Sequence, residues 1–195
     1  MPNWCDNTLR ISGSESEIQR FKLKANGPIQ TYNYFNEPKD EWAVHDDIRL
    51  KAKVECLPEI GEVSVLSFHA LVPVPEDYRR FPYDCGTARK IGKLVGEERV
   101  RGGYEWEAAN WGVKWGASDA VLIDEESGYS GYKFMTPWGP PIELLNNASQ
   151  DFPKLEFTLE YSESGMGFAG RVVWYDGEMQ SEEEWAIEED EEEEE

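Results

Sequence analysis

The side chains best suited to chemistry in this 195-residue chain are tryptophans: Trp4, Trp106, Trp111, Trp115 and Trp138, with Asn110 and Lys114 interleaved. An indole offers a broad apolar face and one N–H donor, so a few indoles with an amide and an ammonium could line a pocket for a base, a nucleotide or a peptide. Asn110 to Trp115 reads as a short strand. Trp111 and Trp115 then share one face, and Asn110 and Lys114 point the other way. Two readings stay open. In one the rings fill the core; in the other Asn110, Trp111, Lys114, Trp115 and Trp138 form a ligand-binding site. Exposure of the tryptophans separates them.

Other chemistry is sparse. The chain has no glycine-rich phosphate loop and no HExxH, GxSxG or EF-hand pattern, and only His45 and His69 could shuttle protons at neutral pH. His69 lies in the apolar run Ser64 to Leu71 and is expected to be a core or sheet residue rather than a base. Cys5, Cys56 and Cys85 are odd in number and lack CxxC spacing, so they suggest neither a disulfide framework nor a zinc site. Cys5 is expected to be a buried small hydrophobe. No catalytic residue, metal site or cofactor is assigned, and the expectation leans away from an enzyme.

Charge is the largest compositional deviation, with 40 acidic and 19 basic residues for a net of -21. From Glu182 onward there are 11 acidic residues and no basic one, leaving a net of -10 before that point. Residues 181–195 are expected to be a disordered acidic tail, too poor in apolar side chains to offset ordering entropy. Its candidate partner-binding residues are Glu182, Glu183, Glu184, Trp185, Glu188, Glu189 and Asp190. The window from Arg79 to Arg101 is a basic island, with seven basic and three acidic residues. Neither a signal peptide nor a membrane-length apolar stretch is evident, and a cytoplasmic location is expected.

The elements that must position these groups can be read from periodicity. Asn7 to Ser12 alternates as a half-buried strand ending at Gly13. Ser14 followed by Glu17 forms a capping box, and Ile18, Phe21 and Ala25 recur at helical spacing up to Asn26-Gly27-Pro28. Residues 27–61 are irregular, with a short helix or strand around Asp47 to Cys56. Ser64 to Leu71 reads as a strand, and Asp84 to Arg101 contains a helix through Ala88, Ile91, Leu94 and Val95. Ala120 to Ile123 and Tyr129 to Met135 read as strands, Pro141 to Ser149 as a helix, and Leu155 to Tyr161 with Phe168 to Tyr175 as a hairpin. The pattern is α+β: a ferredoxin-like antiparallel sheet with two main helices on one face. Residues 1–180 would be a single domain with insertions at about 27–61 and 76–106.

Met1-Pro2-Asn3-Trp4-Cys5-Asp6-Asn7, Phe68-His69-Ala70-Leu71-Val72-Pro73-Val74-Pro75, Asn110-Trp111-Gly112-Val113-Lys114-Trp115 and Thr136-Pro137-Trp138-Gly139-Pro140-Pro141 resemble segments of the YubB ferredoxin-like and Api92-like family. These are phage- and plasmid-encoded proteins. The resemblance spans roughly Met1 to Tyr175, residues 27–61 depart from it, and the polyacidic end reads as an addition. It implies a ferredoxin-like fold and a mobile-element origin, and no activity.

Three functions follow as expectations. The first is an accessory binding protein whose acidic surface meets a basic host or phage protein, as an inhibitor or mimic acting on a nucleic-acid-handling or defence protein. The second is a small-ligand or nucleotide-binding domain built on the aromatic set. The third, single-strand nucleic-acid binding through Arg89, Lys90 and Lys93, is disfavoured by the body's net charge, so nucleic acid is not the expected partner. Oligomeric state is left open.

Overall fold

The computed structural model describes residues 3–34 and 47–187. Strand β1 (Trp4–Ser12) buries Cys5, Asn7, Leu9 and Ile11 on one face and turns Trp4, Asp6, Thr8, Arg10 and Ser12 to the other. Helix α1 (Glu15–Ala25) follows. The Ser14 hydroxyl accepts from the Glu17 N–H, so the capping serine acts as expected, while the Glu17 carboxylate pairs with Arg20. Ile18, Phe21 and Ala25 are its buried stripe.

After α1 the chain leaves the sheet for a mostly helical excursion. It contains β2 (Gly27–Pro28), α2 (Asp47–Glu55), β3 (Val63–Ser64), α3 (Phe68–Leu71), α4 (Glu76–Arg79), α5 (Cys85–Leu94) and α6 (Gly103–Asn110). Val54, Phe81, Ala88, Ile91 and Val100 form its own small core. The strand expected over Ser64 to Leu71 is corrected: only Val63–Ser64 pairs, with β2, and the apolar run becomes a helical turn. Ser67 caps that turn by accepting the Ala70 N–H at 3.0 Å, and Phe68 and Leu71, three apart, both turn inward. His45, a candidate proton shuttle, lies outside the described residues.

The chain then returns to the sheet through β4 (Ser118–Glu126), β5 (Tyr129–Pro137), α7 (Ile142–Gln150), β6 (Glu156–Glu163), β7 (Phe168–Tyr175) and β8 (Glu178–Ala186). The six strands lie in the order β4-β5-β1-β6-β7-β8, every neighbouring pair antiparallel. The unit β1-α1-β4-β5-α7-β6 is the ferredoxin-like βαββαβ arrangement, extended at one edge by the β7-β8 hairpin. Helices α1 and α7 cover one face. Phe21 packs edge-on against Tyr132, Phe152 and Phe157 at centroid distances of 6.1, 5.2 and 5.5 Å, with Leu144, Leu145 and Ala148 from α7 beside them in the same core.

The acidic tail also needs correction. Residues 181–186 belong to β8, paired with β7 from Phe168↔Ala186 to Tyr175↔Glu178, and are not disordered. Asp176 and Gly177 close the hairpin with φ of 54° and 75°, the left-handed pair that a two-residue turn requires. Glu188, Glu189 and Asp190 lie outside the described residues. Among the described residues, no helix is long and apolar enough to cross a membrane.

Candidate functional site

Two places carry unexplained side chains, both set by the sheet. Because neighbouring strands are antiparallel, the start of β4, the end of β5, the start of β1, the end of β6, the start of β7 and the end of β8 meet at one end of it. Half-exposed tryptophans gather there: Trp115 just before β4, Trp138 just after β5, Trp4 opening β1, and Trp185 closing β8, at 45%, 48%, 38% and 50% exposure.

Of the five expected ligand residues, three come together and two do not. Asn110 to Trp115 is the end of α6 and an irregular turn rather than a strand, because Gly112, Trp115 and Gly116 all take left-handed backbone angles that no ladder accommodates. Trp111 is fully buried. Its Nε1 donates to the Val72 carbonyl at 3.0 Å, and Phe68 and Trp106 pack edge-on against its ring. Asn110 ties α6 to α7: its Nδ2 donates to the Trp106 carbonyl, and its own carbonyl accepts from Asn147 Nδ2. Lys114, Trp115 and Trp138 form a surface cluster instead, with Nζ 3.9 Å from the Trp115 ring centroid and 5.8 Å from that of Trp138.

Both exposed rings stand on strained backbone. Trp115 has φ 70° and Trp138 φ 73°, each costing roughly 1–3 kcal/mol for a bulky side chain. Buried groups hold them there. The Trp115 N–H donates to Glu107 Oε2 at 2.7 Å, and Tyr32 O–H donates to Glu107 Oε1 at 2.7 Å. Glu107 is fully buried on α6, and burial raises its pKa above the ordinary carboxylate value despite these donors. Tyr83 faces the same carboxylate, close enough for its own pKa to be raised by burial and by that charge, though its hydroxyl lacks a fully formed hydrogen bond. Around Trp138, buried Asn7 donates Nδ2 to Thr136 Oγ1 at 2.7 Å, and that hydroxyl donates to the Gly139 carbonyl at 2.7 Å. The Trp138 N–H donates to the Asn3 carbonyl at 2.9 Å. Sequence periodicity offered no sign of Glu107 or Asn7, since each is a lone polar residue whose role depends on distant partners.

The second place is the outer edge of β8. Glu182, Glu183 and Glu184 are exposed on consecutive positions opposite Val172, Arg171 and Gly170. Tyr161 O–H donates to Glu184 Oε2 at 3.3 Å, and burial together with Glu184 and Glu182 pushes that phenol up to about 12. Glu182 and Glu183 form no ion pair among the described residues. Trp185 lies opposite Ala169.

The remaining candidates are structural. His69 Nδ1 accepts the Val74 N–H at 3.0 Å, and burial, with Arg79 and Lys24, lowers its pKa. Cys5 is buried, and desolvation with nearby Glu163 and Asp6 pushes its thiol up to about 12. In the basic island Arg80 pairs with Glu97 at 2.8 Å, Arg89 pairs with Glu105, and Arg79 donates to the Thr31 carbonyl.

A family model described as the ferredoxin-like domain in Api92-like protein matches residues 110–195. The match runs through the acidic end, which therefore lies within the family's domain and is not an addition to it. No curated protein matches the chain. Among solved structures, the crystal structure of Api92 from Yersinia pseudotuberculosis aligns with a TM-score of 0.65 at 12% identity, covering 97% of this chain and 100% of that one. At that identity the likeness shows the fold. Residues 110–195 are thus similar to the ferredoxin-like domain in Api92-like protein, and the chain shares the fold of Api92.

Proposed function

We propose that this protein is an accessory binding module that presents its acidic β8 edge to a basic segment of another protein. The observation that carries the reading is an ordered outermost strand whose Glu182 and Glu183 form no ion pair among the described residues, with a half-exposed Trp185 beside them. Pairing of Phe168 to Val172 with Glu182 to Ala186 is free of register shifts, whereas the opposite edge strand, β4, is broken by two. A regular edge offers unpaired backbone donors and acceptors to an added strand, and its side chains select what adds. Here they repel a second copy of β8 and favour lysine and arginine. Trp185 gives an incoming cation or apolar side chain a face to rest on. Attraction between an acidic strand and a basic cleft would make the module an inhibitor or mimic directed at a nucleic-acid-handling or defence protein of a host cell.

The experiment titrates the full chain with an extended peptide of alternating lysine and valine, at low and high salt. The expected result is saturable binding that weakens with salt and falls at least about tenfold in the triple variant Glu182→Gln, Glu183→Gln, Glu184→Gln. Binding indifferent to that variant overturns the reading.

A further inference from the structure

We propose that Lys114, Trp115 and Trp138 form a second site, which takes a nucleoside 5′-monophosphate by stacking its base on indole and pairing its phosphate with the lysine. Lys114 forms no ion pair among the described residues, so on a chain of net charge -21 its ammonium is met only by two ring faces, at 3.9 and 5.8 Å. An ammonium in that position repels another cation and leaves room for one negative group. The rings beside it stay about half open, although burying indole is the ordinary outcome of folding.

They are held in place rather than merely left outside. Both stand at left-handed backbone angles, fixed by the Glu107 carboxylate under Trp115 and the Asn3 carbonyl under Trp138. Strain of this kind persists only where surrounding groups over-determine it, and it concentrates at binding sites. A flat ring carrying one anionic group satisfies both features at once, since bases stack on aromatic faces with little regard to their identity. A strand of nucleic acid fits less well. Each added phosphate would meet the net charge of -10 carried by residues 1–181, whereas a free mononucleotide brings a single phosphate to the Lys114 ammonium.

The full chain is titrated with AMP, GMP, CMP and TMP while tryptophan emission is followed, with adenosine, inorganic phosphate and an oligothymidylate as comparisons. The expected result is saturable quenching by the monophosphates and none by phosphate alone. Lys114→Met should weaken AMP binding about tenfold while leaving adenosine binding unchanged. Trp138→Gly removes the ring but keeps a residue at ease with the left-handed angle, and it should weaken both. The proposal is overturned if no monophosphate quenches, if adenosine binds as tightly as AMP, or if Lys114→Met leaves the preference for AMP intact. Tighter binding of oligothymidylate than of TMP overturns the free nucleotide as the ligand.

Discussion

The backbone N–H of Trp115 donates to Glu107 Oε2 at 2.7 Å, so a fully buried carboxylate fixes the pose of a half-exposed indole. The other carboxylate oxygen takes the Tyr32 hydroxyl, which ties residues just after α1 to the turn leading into β4. One side chain thereby joins the excursion to the sheet.

Replacing Glu107 with alanine orphans both donors and should cost about 1–3 kcal/mol for each buried group left unsatisfied. Urea unfolding measures it. Glu107→Gln keeps an acceptor for Trp115 and isolates the charge. Burial raises the folded-state pKa above the ordinary glutamate value, so the native state holds this proton more tightly than the unfolded chain does. The stability contributed by that proton is fully present below the unfolded value and is lost as pH rises through the folded one. The wild type should therefore lose stability relative to Glu107→Gln as pH rises above the ordinary glutamate value, and a pH-independent difference would refute the assignment.

Gly103 opens α6 against the Tyr32 ring, where an added Cβ would overlap Cε1. Tyr32 cannot swing away without losing Glu107. Gly103→Ala should therefore destabilise by about 1–3 kcal/mol as overpacking. Tyr32→Phe leaves the ring packed against Tyr83 but removes the donor to buried Glu107 Oε1, so it too should cost about 1–3 kcal/mol. Thermal unfolding of both variants checks these losses.

Much of this fold was legible in the sequence, and the failures have physical causes. α1 was readable because Ser14 caps it and Ile18, Phe21 and Ala25 mark one face. β6 was readable because polar and apolar residues alternate from Glu156 to Ser162. α3 was misread because Phe68 and Leu71 sit in a short apolar run, where strand and helix periods cannot be told apart. β8 was missed because eight of its nine side chains are exposed, four of them glutamates, so no alternation shows. The Asp176-Gly177 turn after β7 was the available signal for it. In the aromatic set, Lys114, Trp115 and Trp138 lie together in space, but Trp111 was drawn with them by a strand periodicity that Gly112 breaks.

Truncation after Gln180 separates strand from tail. A disordered tail could be removed without consequence. Loss of residues 181–186 instead strips β7 of most of its outer partner, so Tm should drop by at least about 5 °C and the shortened protein should tend to associate through the bared edge. Scanning calorimetry with light scattering reads both.

The central claim, that β8 is a docking edge for a basic strand, is tested most directly by amide hydrogen exchange across residues 178–187 with and without the lysine-valine peptide at low salt. The expected result is slowed exchange of outward-facing β8 amides on binding, absent in the triple glutamine variant and absent with a peptide of equal charge whose backbone is N-methylated. Equal binding of both peptides without protection of β8 would contradict strand addition and leave only diffuse attraction. No binding of either would contradict the acidic edge as a partner surface altogether.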